Sequence, residues 1–247
     1  MEGPDATWRA AAAAAWERNW PPGWLVGHVA ETGSTNADLV ERALHGAPAR
    51  TVVAADHQRA GRGRLGRQWT APAGTNLLAS ILWRESLDRP HRLTQRVALA
   101  AATAVERLAG IEVGLKWPND LLVGQAKLAG ILAQAGGEPG AVDFVVVGIG
   151  VNVGWAPEGA ARTGPVTTPA ELLAGILTEL DALGADHFPA YRRRLVTIGQ
   201  RVRAELPGEV VVGIAVDVGA DGALYVDPGD GPRRIDSGDV VHLRPEG

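Results

Sequence analysis

The chain has 247 residues, 46% of them hydrophobic and 21% charged, enough for one large domain and a small one beside it. A formal net charge of −4 argues against a surface built to hold nucleic acid, and the absence of cysteine excludes disulfides and thiolate metal sites. No apolar run reaches the length of a membrane span, and the alanines from Ala10 to Ala15 lack the basic flank of a signal peptide, so a soluble cytoplasmic protein is expected.

Residues Asp5 to about Asn19 read as a surface helix stopped by Pro21-Pro22-Gly23, with Trp8, Trp16, Trp20 and Trp24 anchoring this arm to the body. Leu25 to Glu31 reads as a first strand. Gly33-Ser34-Thr35-Asn36 then opens a helix. Thr35 with Asp38 three positions on fits a capping pair, and Leu39, Val40, Ala43 and Leu44 give the apolar face. Three small polar side chains at a helix start equally suit a pocket for a polar ligand.

Thr51 to Ala55 is a short strand that delivers the chain into an arginine- and glycine-rich segment. From His57 to Arg84 there is no acidic residue, while Arg59, Arg62, Arg64, Arg67 and Arg84 all fall there. Glycine at every second or third position lets backbone approach a ligand, and guanidinium forks suit phosphate or carboxylate. Such a loop is expected to stand open when empty and to close over an anion; a solvated basic loop is the plain alternative. Gly61, Gly63 and Gly66 match the dinucleotide-binding spacing, but no helix can follow through Trp69-Thr70-Ala71-Pro72, so that fold is rejected.

Asn76 to Trp83 reads as a buried strand and Arg92 to Leu108 as an alanine-rich helix. Val113 to Trp117 is a strand, Asn119-Asp120 a turn, Leu121 to Val123 a return strand, and Lys127 to Ala133 the next. Lys116 and Lys127 are the only lysines among 24 basic residues, which suggests that the ammonium itself is required in this stretch. The hairpin is expected to bring both into one neighbourhood of the sheet. Phe144 to Gly150 is a further strand closed by Val151-Asn152, and Gly148 and Gly150 there imply a close approach or a bulge. Thr168-Pro169-Ala170-Glu171 starts a helix to about Leu183, and Phe188 to about Ile198 reads as another, with Arg192, Arg193 and Arg194 on a solvated face. After Gly199 the period falls to two, with strands over Val210–Val218, Leu224–Val226, near Ile235 and Val240–Leu243, which describe a small β-barrel.

The motifs Gly33-Ser34-Thr35-Asn36, Gln58 with Ala60 to Arg67, Lys116-Trp117-Pro118-Asn119-Asp120, Lys127 to Leu132 and Gly148 to Asn152 resemble, in order and spacing, those of biotin protein ligases. The likeness covers roughly Leu25 to Leu243. It implies an α+β fold: a mixed sheet flanked by helices, like that of class II synthetases and biotin/lipoate ligases, followed by an SH3-like barrel. The expected division is an arm 1–24, a catalytic domain 25–196 and a barrel 197–247. Biotin and ATP would give biotinyl-5′-adenylate and pyrophosphate, and a lysine of a biotin carboxyl carrier domain would then take the biotin.

By the family's pattern Ser34, Thr35, Asn36 and Gln58 hold the ureido end of biotin, and Arg62, Gly63, Arg64, Lys127 and Gly130 complete the biotin site. Arg62, Arg64, Arg67, Trp69, Lys116, Asn119, Lys127 and Asn152 are expected at ATP or the adenylate. Lys127, Arg64 and Asp120 are expected at the chemistry, and Mg²⁺ is expected through the phosphates with no protein ligand assigned. Some members carry an N-terminal DNA-binding module. Only some 24 residues precede the first strand, so a ligase without repressor function is expected. The oligomeric state stays open, a homodimer being one assembly the resemblance allows. A lipoate–protein ligase and a non-catalytic biotin- or nucleotide-binding module are the competing readings.

Overall fold

Alternation of side chains across the pleat decides which face of the central sheet is dry. In the computed structural model, which describes residues 5–85, 90–137, 142–206, 208–236 and 239–243, seven strands form one mixed sheet. They are β1 (Leu25–Thr32), β2 (Thr51–Gln58), β3 (Leu77–Trp83), β4 (Gly114–Lys116), β5 (Asp120–Val123), β6 (Ala126–Gly136) and β7 (Phe144–Val151), in the order β1-β2-β3-β7-β6-β5-β4. Only β1 and β2 run parallel, because the helix α2 (Thr35–Leu44) crosses between them; every other pair is antiparallel.

On one face Leu77, Ala79, Ile81 and Trp83 of β3 and Val145, Val147, Ile149 and Val151 of β7 join the main core. That core is closed by α3 (Pro90–Ala109) and α4 (Pro169–Ala182), whose buried Leu, Val, Ile and Ala side chains interleave. Helix α4 starts on the expected capping box, Thr168 with Glu171, and Pro169 follows it. On the opposite face Leu39 and Ala43 of α2 meet Val53, Leu82, Phe144 and Val146 in a smaller apolar cluster. Beyond that patch the same alternation delivers Ser80, Gly130, Gly148 and Gly150. With no or small side chains, the three glycines and Ser80 leave space above the sheet.

The N-terminal helix α1 (Ala6–Ala14) is shorter than the sequence suggests and is not purely a surface element. Trp8 is buried and donates its indole N–H to the Thr167 carbonyl at 3.3 Å, Trp16 stacks on His28 at 4.1 Å, and Trp24 donates to Asp181 at 2.9 Å. Helix α5 (Phe188–Arg194) also stops early. Leu195 bridges to Leu115, and the Val196 N–H donates to the Leu115 carbonyl at 2.9 Å. Nor is its arginine run merely solvated: Arg194 grips Glu106 with two bonds and Arg192 reaches Asp217 at 2.7 Å.

A second, antiparallel sheet follows, with β8 (Arg201–Leu206), β9 (Glu209–Val218), β10 (Leu224–Asp227), β11 (Arg233–Ile235) and β12 (Asp239–His242) in the order β11-β10-β9-β8-β12. Its inward residues Val202, Ala204, Val211, Ala215, Leu224, Val226 and Val240 continue the main core. The strand β8 is not among the elements read from the sequence. Residues 1–4 and 244–247, the ends of the expected first and last segments, lie outside the described residues.

Candidate active site

The carboxyl ends of the parallel pair β1 and β2 meet the start of α2, the place where open α/β sheets bind ligands. The cleft there encloses about 270 Å³. Ser34, Thr35, Asn36, Gln58, Arg62, Gly63, Arg64, Arg67, Trp69, Asn119, Asp120, Lys127, Gly130 and Asn152 all line it, so every site residue expected from the sequence except Lys116 is gathered in one place.

At the deep end the capping interpretation of Thr35 gives way. Ser34 is the cap position and caps nothing with its side chain, while Asp38 accepts from the Thr32 hydroxyl at 2.5 Å. The Thr35 N–H donates to Gln58 Oε1 at 2.8 Å, and its hydroxyl lies 3.0 Å from the same oxygen. Asn36 donates through Nδ2 to Gln134 Oε1 at 2.7 Å and to the Leu132 carbonyl at 3.3 Å, and Ser80 Oγ lies 2.6 Å from Asn36 Oδ1. Gly148 makes room for that amide, since a Cβ there would stand 2.1 Å from Asn36 Oδ1. Ser80 and Gln134 were not among the expected residues. Their signal was one polar residue inside the apolar run Leu77–Trp83, and a Gln two and four places from Leu132 and Gly130 on the same face of β6.

Above the sheet the arginine segment is a folded flap rather than an open loop. Arg62 bridges to Gln68, the Gly63 N–H donates to the Arg67 carbonyl at 2.7 Å, and the Trp69 N–H donates to the Gly61 carbonyl at 3.0 Å. One 3-10 turn spans Arg64–Gly66, with Leu65 held at φ 54° at the exposed tip. Arg64 Nη1 donates to Asn119 Oδ1 at 3.4 Å, and Asn119 Nδ2 donates to the Ile131 carbonyl at 2.8 Å, which ties the flap to the turn before β5.

Trp69 returns from the flap and lays its indole across paired Gly130 and Gly150 of β6 and β7. A Cβ at Gly150 would sit 2.5 Å from the indole, so the close approach foreseen at that strand is made by the protein's own ring. The ladder there runs in register, without the bulge that was the alternative. The indole N–H is buried and has no protein partner.

The hairpin β5–β6 sets Asp120 opposite Gly130, and Lys127 Nζ stands 2.7 Å from Asp120 Oδ1 and 5.7 Å from the Trp69 ring centre. With 40% of the lysine and 20% of the aspartate side chain exposed, this pair aims the ammonium more than it stabilises the fold, for which it is worth about 0–1 kcal/mol. Four cations line the cleft against one carboxylate, a field suited to an anionic ligand.

Two expectations need correction. Lys116 does not line the cleft: β4 is the sheet's edge, and its lysine lies beside His242 of β12, whose imidazole is held below its ordinary pKa by burial and then by the Lys116 charge. Asn152 does line it, but its amide is spent on protein, with Nδ2 on the Ala161 carbonyl at 2.9 Å and the Lys127 carbonyl at 3.4 Å while Oδ1 accepts from Asn76 at 3.2 Å. It therefore fixes the backbone under Lys127.

A polar pocket at the end of a parallel strand pair, covered by an arginine flap and faced by one sheet-borne lysine, suits a ligand with a polar head and an anionic tail. The profile described as the biotin/lipoate A/B protein ligase family matches residues 29–152, and that of the biotin protein ligase C-terminal domain matches 197–243. The chain belongs to the biotin protein ligase family. It is 43% identical over 244 residues to the biotin–[acetyl-CoA-carboxylase] ligase of Mycobacterium tuberculosis, covering 87% of this chain and 88% of that one. It is 29% identical to the bifunctional ligase/repressor BirA of Bacillus subtilis, covering 84% of this chain and 70% of that one. Among solved structures it resembles the Aquifex aeolicus biotin protein ligase in complex with biotin and ATP, with a TM-score of 0.76, 26% identity and coverage of 89% and 99% of the two chains. The second sheet is accordingly the SH3-like domain of this family.

Proposed function

We infer that the chain is an ATP-dependent biotin–[acetyl-CoA-carboxylase] ligase and that the cleft residues divide the work by position. The observation that carries the division is the Lys127–Asp120 pair at 2.7 Å between a polar deep end and an arginine flap. A carboxylate and a triphosphate repel, so the site must neutralise both and align them. In this reading Thr35, Asn36 and Gln58, with Ser34 beside them, take the ureido ring, which leaves the biotin carboxylate near Lys127. The ammonium bridges that carboxylate and the α-phosphate as the acyl–oxygen–phosphorus link forms and pyrophosphate leaves. Arg62, Arg64 and Arg67, brought over the cleft with Gly63, hold the phosphates and shield the mixed anhydride from water. Trp69 forms the wall against which the adenine stacks, and Gly130 leaves the room beside it. In the second step the acceptor lysine's amine attacks the acyl carbon and AMP leaves, and in this reading Asp120, the carboxylate beside Lys127, takes the proton that the amine gives up.

Asp120 is the one carboxylate among the residues lining the cleft and it is engaged by Lys127, while among the described residues no three His, Asp or Glu side chains gather into a metal cage. These residues fit magnesium that arrives on the nucleotide, where it would neutralise phosphate charge. We assign the catalytic work to residues 25–196, with the arm 1–24 as a brace and 197–247 as the flank beside the acceptor. The acceptor would be a carboxyl carrier domain in the cytoplasm, where ATP is supplied, and DNA would not be a partner of a chain with net charge −4.

Incubating the protein with ATP, Mg²⁺, biotin and a carboxyl carrier domain should add to the carrier the mass of one biotin less one water. A gain with lipoate in place of biotin, or no gain with either, would overturn the assignment.

A further inference from the structure

Strict alternation along β6 would bury Lys127. Toward β7 the strand is regular: Ala129 pairs with Val151 and Ile131 with Ile149 on the core face, and Gly130 faces the cleft opposite Gly150. Continued by one residue, that period sends Leu128 to the cleft; continued by two, it sends Lys127 into the core. The reverse is found. Leu128 is fully buried in the same core cluster as its neighbour Ala129, and Lys127 lines the cleft. The cause lies toward β5, where Leu121 pairs with Ala129 but Leu122 pairs with Lys127, so that Leu128 is one extra residue. Such a bulge re-aims the side chains beyond it by one step. Asp120 meets the ammonium because this bulge has turned it outward.

The bulge is held from one side. The carbonyls of Lys127 and Leu128, which a regular strand points to opposite edges, both turn to residues 152–161. Leu128 accepts from the Asn152 N–H at 2.9 Å, and Lys127 accepts from the Ala161 N–H at 2.9 Å and from Asn152 Nδ2 at 3.4 Å. Asn152 Nδ2 also donates to the Ala161 carbonyl at 2.9 Å. Carbonyls can only accept, so this amide has one orientation, and its Oδ1 must face a donor. Asn76 supplies it through Nδ2 at 3.2 Å. Asn76 Oδ1 in turn accepts from the backbone N–H groups of Val153 and Trp155, at 3.1 and 3.2 Å. Both amides are buried, and Asn76 lines no part of the cleft. We propose that Asn76 is a positioning residue: through Asn152 it holds the bulge that turns Lys127 into the cleft. The work of that lysine rests on the biotin-ligase reading above; its direction rests on the strand geometry.

Asn76→Asp tests this, since the carboxylate keeps the acceptor for Val153 and Trp155 and loses the donor to Asn152. Biotin-dependent exchange of pyrophosphate into ATP should slow on the order of 100-fold, the cost of misplacing a reacting group by about 1 Å. The second readout is the direction of the lysine itself. Lys116 and Lys127 are the only lysines, so isotope labelling of the lysine ε-carbon gives two NMR signals, and Lys116→Gln tells them apart. Lys127 Nζ lies 5.7 Å from the Trp69 ring centre, within reach of its ring current. In Asn76→Asp the Lys127 signal should move toward that of an unperturbed lysine while the Lys116 signal stays. Slower exchange with the Lys127 signal unmoved would mean that Asn76 merely supports the fold, and that result, or an unchanged rate, overturns the proposal. If the aspartate blocks folding, Asn152→Ser, which shortens the network from its other end without adding charge, is read in the same two ways. Wild-type protein giving no exchange with biotin would instead sink the ligase reading, while the lysine signals would still decide what holds Lys127.

Discussion

Lys127 is where residue chemistry matters most, because a compact ammonium and a planar guanidinium are different tools. Lys127→Ala should lower the rate of adenylate formation by at least ~100-fold, the scale of removing one preorganised charge. Lys127→Arg should not restore it, since a fork already close to Asp120 cannot be the point charge between two anions. Pyrophosphate exchange on the two variants decides, and near-normal activity in either would refute the role. Trp69 and Gly150 form a second residue-scale unit. A methyl at Gly150 would fall 2.5 Å from the indole, so Gly150→Ala must push the ring out of its slot. The KM for ATP should rise about tenfold, the size of one lost stacking wall. Trp69→Leu should weaken ATP by a similar factor, and the double variant should match Trp69→Leu alone, because the methyl then has nothing to displace. Additive losses would mean that Gly150 matters for some other reason.

At the scale of elements, the flap from Arg62 to Gln68 is a narrow turn closed by backbone bonds and braced on Asn119 through Arg64. Arg64→Gly removes a brace and a cation together. Biotinylation of bystander proteins should rise several-fold while adenylate still forms, measured by blotting a mixture of unrelated proteins; unchanged stray labelling would count against a sealing role. Much of this architecture was legible, and for identifiable reasons. The strands β3 and β7 are continuous apolar runs, α4 carries both capping partners, and the arginine–glycine segment concentrates guanidinium groups, of which Arg62, Arg64 and Arg67 line the cleft. What was hidden depended on the third dimension. Thr35 with Asp38 has the spacing of a cap, but Gln58, distant in sequence, offers Thr35 a better partner. Lys116 sits in the same motif as Asp120, yet an edge strand turns it toward the second sheet. Ser80 and Gln134 are single polar residues in apolar strands, and only the pairing of β3, β7 and β6 reveals that they meet Asn36. The strand β8 alternates as Val202, Ala204 and Leu206 between Arg201, Arg203 and Glu205, a period-two signal that charge obscured.

Across the whole molecule the turn that serves the cleft also joins the two sheets. Asn119 and Asp120 face the cleft, while the Trp117 indole N–H donates to the Gly222 carbonyl at 2.9 Å and its backbone N–H donates to Thr197 Oγ1 at 3.0 Å. His242 Nε2 reaches the same Thr197 hydroxyl at 3.1 Å, so an imidazole stands at the seam. Burial, and then the Lys116 charge, hold His242 below the ordinary value of 6.5; burial, and then Arg92 and Arg96, do the same to His187 under α3. Both are neutral in the fold at acidities where the unfolded chain has already taken up protons. Their contribution is therefore complete above 6.5 and is lost as pH falls below it. Asp217 and Asp221 are also held low, by bonds from Arg192 and Arg234, but their contribution begins to fail only near and below 3.8. Between about pH 7 and pH 5 the histidines should therefore set the slope, and the melting temperature should fall on acidification. Replacing Lys116 with Gln removes a charge that holds His242 neutral, so the slope should become shallower without loss of biotin-dependent pyrophosphate exchange. Melting curves followed by circular dichroism across that range test this. A Lys116→Gln variant with the wild-type slope would show that the seam does not sense the lysine, and one that fails in exchange would return Lys116 to the active site.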